Sequence, residues 1–434
     1  MSDLLHDPEL DRLVDELNRP GGGGSAAGGA GEVEDGAERP EDSTFGPLAE
    51  PRAEALFLDR PALAAVEEGE DLDRLLAALV RSGASDLHLV AGLPPVVRVD
   101  GRLARLEEPP LDGDDLARLL APHLGARSRR SLEERGYADF SLELAPGRAA
   151  AGGEGAAAGR GWRFRVNLHR QQGGLAAAIR ALPREIPTLA RLNLPPFLAE
   201  LVRPRRGLLL ICGPTGAGKS TTLAALVGEI NRSQSAHVIT IEDPVEYLHP
   251  AASSVVEQIE IGRDARSFAE ALRASLRQDP DVILVGEMRD LETVRIALTA
   301  AETGHLVLAT LHTHDSAQAI SRIVDVFPGD QQAQIRHQLS LSLHAILSQQ
   351  LVPRADRRGR VPAVELLLAS HPVRHLIRND QLQKLYNEIT LGKRQGTISL
   401  EESLARLVAS GVIEAEEARI RTPRPQELAS LLSQ

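Results

Sequence analysis

The segment GPTGAGKS at residues 213–220 constrains the fold of this chain more than any other feature of its sequence. It matches the pattern G-x(4)-G-K-[ST], follows the apolar run GLLLIC at 207–212 and precedes an amphipathic stretch at 219–231. A glycine-rich loop between a strand and a helix turns backbone N–H groups and a helix N-terminus toward one anion. The pattern therefore predicts an α/β fold with a phosphate-binding loop (P-loop), a context that a chance glycine-rich turn explains poorly.

The side chains of this loop predict a site for ATP and Mg²⁺. Lys219 is expected to contact the β- and γ-phosphates, and the hydroxyl of Ser220 is expected to ligate Mg²⁺. Thr222 is a further candidate for a phosphate contact. The nucleotide-binding residues predicted from the motif are Gly213, Pro214, Thr215, Gly216, Ala217, Gly218, Lys219, Ser220 and Thr221.

From residue 207 onward, short apolar runs alternate with longer amphipathic segments, which is typical of a parallel sheet covered by helices. From about residue 330 the sequence predicts a mainly helical region. The predicted strands are 207–212, 237–242, 281–286 and 305–312, and the predicted helices are 219–231, 266–278 and 290–303.

Two acidic clusters follow predicted strands of this sheet, in IEDPVEY (241–247) and VGEMRDLET (285–293). The first cluster includes Glu242 and Glu246, and in the second Glu287 ends an apolar strand. Phosphoryl transfer requires carboxylates that hold a metal ion and that orient water. Either cluster alone is equally consistent with a solvated turn or a helix cap, but both follow one P-loop in order.

His312 ends the predicted strand HLVLATLH, at the sheet edge where open α/β folds bind ligands. A neutral imidazole at that position could donate a hydrogen bond to the γ-phosphate. From the residues alone, a structural histidine at a strand end is the more common interpretation.

The rest of the sequence predicts four further segments. Residues 1–68 combine acidic residues with a glycine run, so they are predicted to be a disordered tail. Residues 69–183 are predicted to form a smaller α+β domain, interrupted by a flexible Gly/Ala-rich loop at 146–161. A linker at 184–187 is predicted to precede the nucleotide-binding domain at 188–434.

The charge of the chain excludes an electrostatic argument for nucleic-acid binding. Residues 1–70 contain 5 arginines and 18 acidic residues, a charge of −13, so the other residues sum to +1 within the net −12. We find no signal peptide and no apolar run long enough to cross a bilayer, so a cytoplasmic protein is expected. The single cysteine, Cys212, excludes a CxxC zinc module.

Several long segments resemble one family. GPTGAGKSTTLAAL, ITIEDPVEYLH, DPDVILVGEMRDLETVRIALTAAETGHLVLATLHT and ISRIVDVFP are similar to the Walker A, aspartate-box, Walker B and histidine-box motifs of type II/IV secretion superfamily ATPases. Within that superfamily, the chain resembles the ATPases that retract type IV pili. The resemblance implies a RecA-like P-loop ATPase core, a PAS-like N-terminal domain, a helical C-terminal region and a homo-hexameric ring with nucleotide at subunit boundaries.

The resemblance also implies roles for the acidic residues and the histidine. Glu246 becomes the catalytic carboxylate that activates water, and Glu287 joins Ser220 in supporting Mg²⁺. His312 becomes the histidine-box residue at the γ-phosphate.

Two arginines of the small domain, Arg165 in FRVN and Arg180 in AIRALP, are implied to stabilise phosphate charge. Relatives often carry a further arginine where this chain reads QQGG (171–174), so the sequence does not decide which arginine acts.

The segment HPVRHLIRND (371–380) resembles the AIRNLIRE motif of retraction motors, with His375 and Asn379 in place of its Asn and Glu. The resemblance implies coupling to the inner-membrane platform protein of a pilus machine, and therefore a location at the inner face of the cytoplasmic membrane through partners only. A plain amphipathic helix explains the same residues.

Four alternatives stay open at this point. The chain could be an accessory retraction ATPase, or an extension or type II secretion ATPase, although those last relatives usually add a tetracysteine zinc element. It could also be a non-enzymatic, nucleotide-switched assembly adaptor. A nucleic-acid translocase is disfavoured by the absence of a basic surplus.

Overall fold

A computed structural model describes most of the chain after the predicted tail. The predicted tail at 1–68 and residues 146–160 of the predicted loop lie outside the described residues. The structure describes residues 71–99, 101–144, 161–172, 174–356 and 359–433. No helix within those ranges is both long enough and apolar enough to span a bilayer.

The first part of the described chain is an antiparallel sheet with helices. Its strands are β1 (Asp86–Val90), β2 (Val96–Val99), β3 (Arg102–Arg105), β4 (Tyr137–Leu144), β5 (Trp162–Gln171) and β6 (Gly174–Ala181), in the order β3-β2-β1-β6-β5-β4. The helices are α1 (Asp71–Arg81), α2 (Gly113–Leu120) and α3 (Ala126–Arg135), with a 3₁₀ turn at Ala121–His123. Leu72, Leu75, Leu76 and Leu79 recur at helical spacing along α1, and all four are buried in the same core as Phe164. The predicted α+β fold of this region is confirmed.

The second sheet carries the P-loop. Its strands are β7 (Gly207–Cys212), β8 (His237–Glu242), β9 (Val255–Glu260), β10 (Val282–Val285), β11 (Leu306–Leu311), β12 (Leu343–Pro353) and β13 (Arg360–Leu368). The strand order is β13-β12-β7-β11-β10-β8-β9, and all neighbours are parallel except β12 and β13. The carboxyl ends of β7, β8, β10 and β11 therefore meet at one sheet edge, as the predicted RecA-like core requires.

Helices cover both faces of this sheet. Alternate side chains of β7 enter different hydrophobic clusters, Leu208 and Leu210 in one and Leu209 and Ile211 in the other. The helices are α4 (Lys219–Ser233), α5 (Phe268–Ser275), α6 (Leu291–Glu302), α7 (Ser316–Asp325), α8 (Gly329–Ser342), α9 (His371–Arg378), α10 (Leu385–Leu391), α11 (Leu400–Ala409), α12 (Ala415–Arg421) and α13 (Pro425–Leu432). Short 3₁₀ helices occur at Pro196–Val202, Leu382–Lys384 and Gly392–Gln395.

The region after residue 330 differs in part from the prediction. Its helices are present, but β12 and β13 lie among them as a long antiparallel pair. Both strands are almost continuously buried, so their apolar residues lack the alternation that marks a half-exposed strand. A buried apolar run of this kind cannot be distinguished from a buried helix by periodicity alone.

The predicted linker at 184–187 falls within residues 182–195, which contain neither helix nor strand. The domain boundaries themselves stay a prediction.

Candidate nucleotide site

The P-loop connects β7 to α4 in the conformation that its glycines allow. Gly213, Gly216 and Gly218 have φ values of 147°, 77° and 88°, a region that residues with a Cβ rarely adopt. The ammonium group of Lys219 donates to the carbonyl oxygens of Gly213 at 2.8 Å and Pro214 at 3.0 Å. The lysine is therefore held across the loop whose N–H groups are expected to receive phosphate.

Strand β12 supports this loop from behind through Gln349. The buried Gln349 side chain donates to the Ala217 carbonyl at 2.6 Å and accepts from the Thr222 hydroxyl at 2.8 Å. A Cβ at Gly213 would lie 2.3 Å from the backbone carbonyl oxygen of Gln349. A Cβ at Gly218 would lie 2.9 Å from the side-chain amide nitrogen of Gln349. The loop thus packs so closely on β12 that only glycine fits at both positions.

Thr222 does not face the predicted phosphate position. Its side chain is buried against Gln349, so the expectation that it contacts phosphate is wrong. Thr221 instead lines the open side of the loop and accepts a hydrogen bond from Tyr247 at 3.2 Å.

Cys212, the residue before the loop, is fully buried at the end of β7. Burial raises the pKa of its thiol to about 12. The thiol therefore stays protonated and has a packing role, as its place in the apolar strand indicates.

Glu287, after β10, and His312, after β11, lie next to each other, and His312 also lies close to Lys219. The His312 Nε2 atom lies 3.3 Å from a Glu287 carboxylate oxygen, and its Nδ1 atom lies 3.5 Å from the Lys219 ammonium nitrogen. Arg289 forms a further ion pair with Glu287. This network places a carboxylate, an imidazole and an ammonium group at one end of the P-loop.

The surroundings set the charges of these groups. Burial opposes the ionisation of Glu287, but Arg289 and His312 together hold the pKa of this carboxyl below its usual value. Burial lowers the pKa of Lys219, and the nearby Glu287 carboxylate opposes that change. Glu287 is thus an anion facing the place where the P-loop predicts phosphate and metal.

The last residue of β8, Glu242, and the turn that follows it bring a second pair of carboxyl groups to the same edge. Glu242 accepts hydrogen bonds from Thr240 at 2.8 Å and Gln258 at 3.3 Å. Burial raises the pKa of Glu242 to about 7, and the charge of Glu246 adds to the increase. The two hydrogen bonds favour the carboxylate and only partly offset the effect of burial. Glu242 therefore titrates near neutral pH beside Glu246.

A cavity of about 660 Å³ joins these parts and has the size of a small-molecule site. Gly213 and Pro214, which were also predicted to bind nucleotide, lie at the base of the P-loop and do not line the cavity. They are connected to the site through the hydrogen bonds that their carbonyl oxygens accept from Lys219. The predicted site residues that do line it are Thr215, Gly216, Ala217, Gly218, Lys219, Ser220, Thr221, Glu246, Glu287, His312, Arg165 and Arg180.

The two predicted arginines reach this cavity from the first sheet of the same chain. Arg180 donates to Asp86 at 2.7 Å, so its guanidinium group is already engaged within that sheet. Arg165 lies near Asp243. Burial raises the pKa of Asp243 above its usual value, and the positive charge of Arg165 opposes that increase. Arg165 therefore has the freer guanidinium of the two within this chain.

A divalent ion would need ligands from more than the protein. No group of three or more His, Cys, Asp or Glu side chains in the described part of the chain forms a metal site. Ser220, in the first turn of α4, and Glu287, just after β10, both line the cavity, and hard cations accept hydroxyl, carboxylate and phosphate oxygens. This arrangement fits a cation that is held jointly with a bound triphosphate.

The first arginine of the predicted retraction motif is used inside the fold. Arg374 donates to the carbonyl oxygens of Ser340 and Leu341, in the last turn of α8, and to that of Ala369, just after β13. The motif residues that remain exposed on α9 include His375 and Arg378.

Sequence reasoning missed several residues that shape the site. Gln349 lies 132 positions from the carbonyl that it binds, and no local pattern connects them. Arg289 lies inside the acidic cluster that was singled out, so its closeness to Glu287 could have indicated the ion pair.

Replacing Glu242 with glutamine should make stability less dependent on pH. The native state binds the Glu242 proton more tightly than the unfolded chain, so this carboxyl destabilises the protein as pH rises from about 4.5 to about 7. Glu242→Gln should raise the free energy of unfolding by about 2–3 kcal/mol at pH 8 and leave it nearly unchanged at pH 4.5. Denaturant unfolding of both proteins measures the difference.

Glu107→Gln, at an exposed position outside the helices and strands, serves as the control, with no change expected at either pH. An equal effect of Glu242→Gln at both pH values would contradict the raised pKa.

Comparisons with known proteins agree with this arrangement. Residues 160–420 match the family described as type II/IV secretion system protein. The chain is 44% identical over 356 residues to the type IV pilus retraction ATPase PilT of Pseudomonas aeruginosa, covering 82% of this chain and 99% of that protein. It is 37% identical to the type IV pilus ATPase PilU of the same organism, covering 83% of this chain and 91% of PilU.

A solved structure shares the fold. The crystal structure of the pilus retraction motor PilT with bound ADP superposes with a TM-score of 0.74 at 44% identity, covering 84% of this chain and all of that one. The P-loop, the acidic residues at the strand ends and these similarities lead to one conclusion: the chain is an ATPase that belongs to the type II/IV secretion system protein family.

Proposed function

We propose that this chain is the motor that retracts type IV pili, using the energy of ATP hydrolysis to disassemble the pilus. The observation that carries the proposal is the convergence of Lys219, Glu287, His312 and Glu246 on one cavity, in a chain that aligns with almost the whole length of a retraction ATPase.

The P-loop side chains suggest how ATP would be held. The amide groups around Gly216 and Gly218 would bind the phosphates, and the Lys219 ammonium would exchange the loop carbonyls for β- and γ-phosphate oxygens. Mg²⁺, held by Ser220 and Glu287 together with the phosphates, would neutralise charge as the γ-phosphate leaves.

The groups at the strand ends suggest how the γ-phosphate would be attacked. Glu246 would orient and deprotonate the water, while Arg165 or Arg180 would stabilise the negative charge that develops. His312, which bridges Glu287 and Lys219, would donate to the γ-phosphate and lose that partner after hydrolysis. Loss of this contact would connect the chemical state of the nucleotide to the strand β11.

The assembly belongs to the same proposal. A homo-hexamer, a cytoplasmic location at the inner face of the membrane and the inner-membrane platform protein as partner all follow the resemblance to pilus motors. The predicted division into a domain at 69–183, a linker at 184–187 and an ATPase domain at 188–434 would provide two bodies that move against each other.

Lys219→Ala should reduce ATP hydrolysis at least about 100-fold, because the variant loses the cation at the transferring phosphate. Lys384→Ala, which removes one of the other two lysines, is the control and should keep the wild-type rate. Phosphate release with Mg²⁺ and ATP measures both. Hydrolysis by Lys219→Ala at the wild-type rate would contradict the site, and a wild-type protein without phosphate release would favour a nucleotide-switched adaptor.

Gln349→Leu should weaken ADP binding about 30-fold, because the P-loop and the first turn of α4 lose two hydrogen bonds worth about 1 kcal/mol each while the volume is kept. Gln350→Leu, one position along β12, is the matched control because its side chain bonds Arg421 away from the loop. Titration with a fluorescent ADP analogue compares them. Equal affinities in both variants would show that Gln349 does not support the loop.

A cellular test separates retraction from extension. Deleting the gene should leave surface pili in place and abolish twitching, and the wild-type gene but not Lys219→Ala should restore twitching. Loss of surface pili would favour an extension ATPase. Twitching reduced only when a second retraction ATPase is also deleted would favour an accessory motor similar to PilU.

A further inference from the structure

A buried polar junction connects the first sheet to the turn after β8. Glu260, at the end of β9, accepts hydrogen bonds from the Ser141 hydroxyl at 3.0 Å and the Val245 N–H at 3.1 Å. Arg163 on β5 lies with one guanidinium nitrogen 3.4 Å from the same carboxylate. Arg163 and Glu260 are each 6% exposed, so both charges are removed from water, and Glu260 is the buried partner of Arg163 beside the exposed Glu143, whose carboxylate lies 3.5 Å from the guanidinium.

Val245 has both of its backbone polar groups bound by this junction. Its N–H donates to Glu260, and its carbonyl oxygen accepts from Arg163 at 2.9 Å. The Val245 carbonyl belongs to the peptide group that joins this residue to Glu246. Arg163 therefore fixes the plane of the peptide from which the Glu246 side chain departs.

One face of β5 contacts both the turn and the cavity. Arg163 and Arg165 are two positions apart on a strand, so their side chains point to the same side. Arg165 lines the cavity, while Arg163 is buried against Val245. The position of β5 thus sets both where the Arg165 side chain lies in the cavity and how the peptide group before Glu246 is oriented.

We propose that Arg163 and Glu260 are positioning residues, which make the orientation of Glu246 depend on contact between the first sheet and the turn after β8. The inference rests on the proposed role of Glu246 in hydrolysis. ATP could then bind the P-loop without this contact, but water would be activated only when the first sheet is seated. Hydrolysis is in this way connected to the position of the small domain.

The principal test replaces Arg163 with methionine, which keeps the length of the side chain and cannot donate a hydrogen bond. Arg163→Met should lower kcat about 10- to 100-fold, because a catalytic group displaced by about 1 Å loses that much rate. The KM for ATP and the affinity for ADP should stay within about twofold of wild type. Arg170→Met, an exposed arginine on the same strand, is the control and should leave all three values unchanged.

A second comparison determines whether Arg163 acts through Glu246. In single-turnover reactions, Arg163→Met should have no further effect in a Glu246→Gln background, because the group that it positions is already absent. A loss of ADP affinity that accounts for the whole effect would overturn the inference. Equal loss of rate with and without the Glu246 carboxylate would also overturn it, and in both cases the assignment of Glu246 would stand.

Wild-type hydrolysis by Glu246→Gln alone would instead overturn the assignment of Glu246 and this inference with it. Should Arg163→Met fail to fold, Glu260→Gln provides an independent test, since it keeps the shape but removes the charge that holds Arg163. Its kcat should fall at least about threefold with an unchanged KM, and a wild-type kcat would overturn the inference.

Discussion

The parallel register of β7, β8, β10 and β11 is the constraint on which the rest of the structure depends. Because parallel strands all end at one edge, groups as far apart in the sequence as 93 positions meet there: Lys219 after β7, Glu287 after β10 and His312 after β11. The Glu287 carboxylate opposes the lowering of the Lys219 pKa by burial, and His312 helps to lower the pKa of Glu287. The site is therefore a property of the sheet, and the P-loop alone would hold an anion without surrounding it with acid and base groups.

Much of this arrangement could be predicted from local patterns. Strands β7 and β8 were predicted with the bounds that the structure has, because short apolar runs with turn signals carry both their identity and their limits. Glu287 and His312 end such runs and are therefore candidates, but their roles in the site follow only from the resemblance to the secretion ATPases. The P-loop glycines were informative since their positive φ values and the closeness of β12 leave no room for a side chain.

What could not be predicted depends on contacts between distant parts of the chain. Strands β12 and β13 are buried on both sides, so their sequence resembles that of a buried helix. Gln349 and Arg163 act on backbone carbonyls, which are present at every residue and leave no mark in the partner's sequence. The burial that gives Glu242 its raised pKa likewise exists only once the turn after β8 is packed.

The burial of Cys212 has a practical consequence for labelling the protein. The sequence contains one cysteine, and its thiol is enclosed at the end of β7 with a pKa of about 12. Maleimide dyes react with exposed thiolates, so the native protein is silent toward them. A single cysteine introduced on a surface helix would then carry the only label, and its fluorophore would report on that helix without first removing a natural thiol.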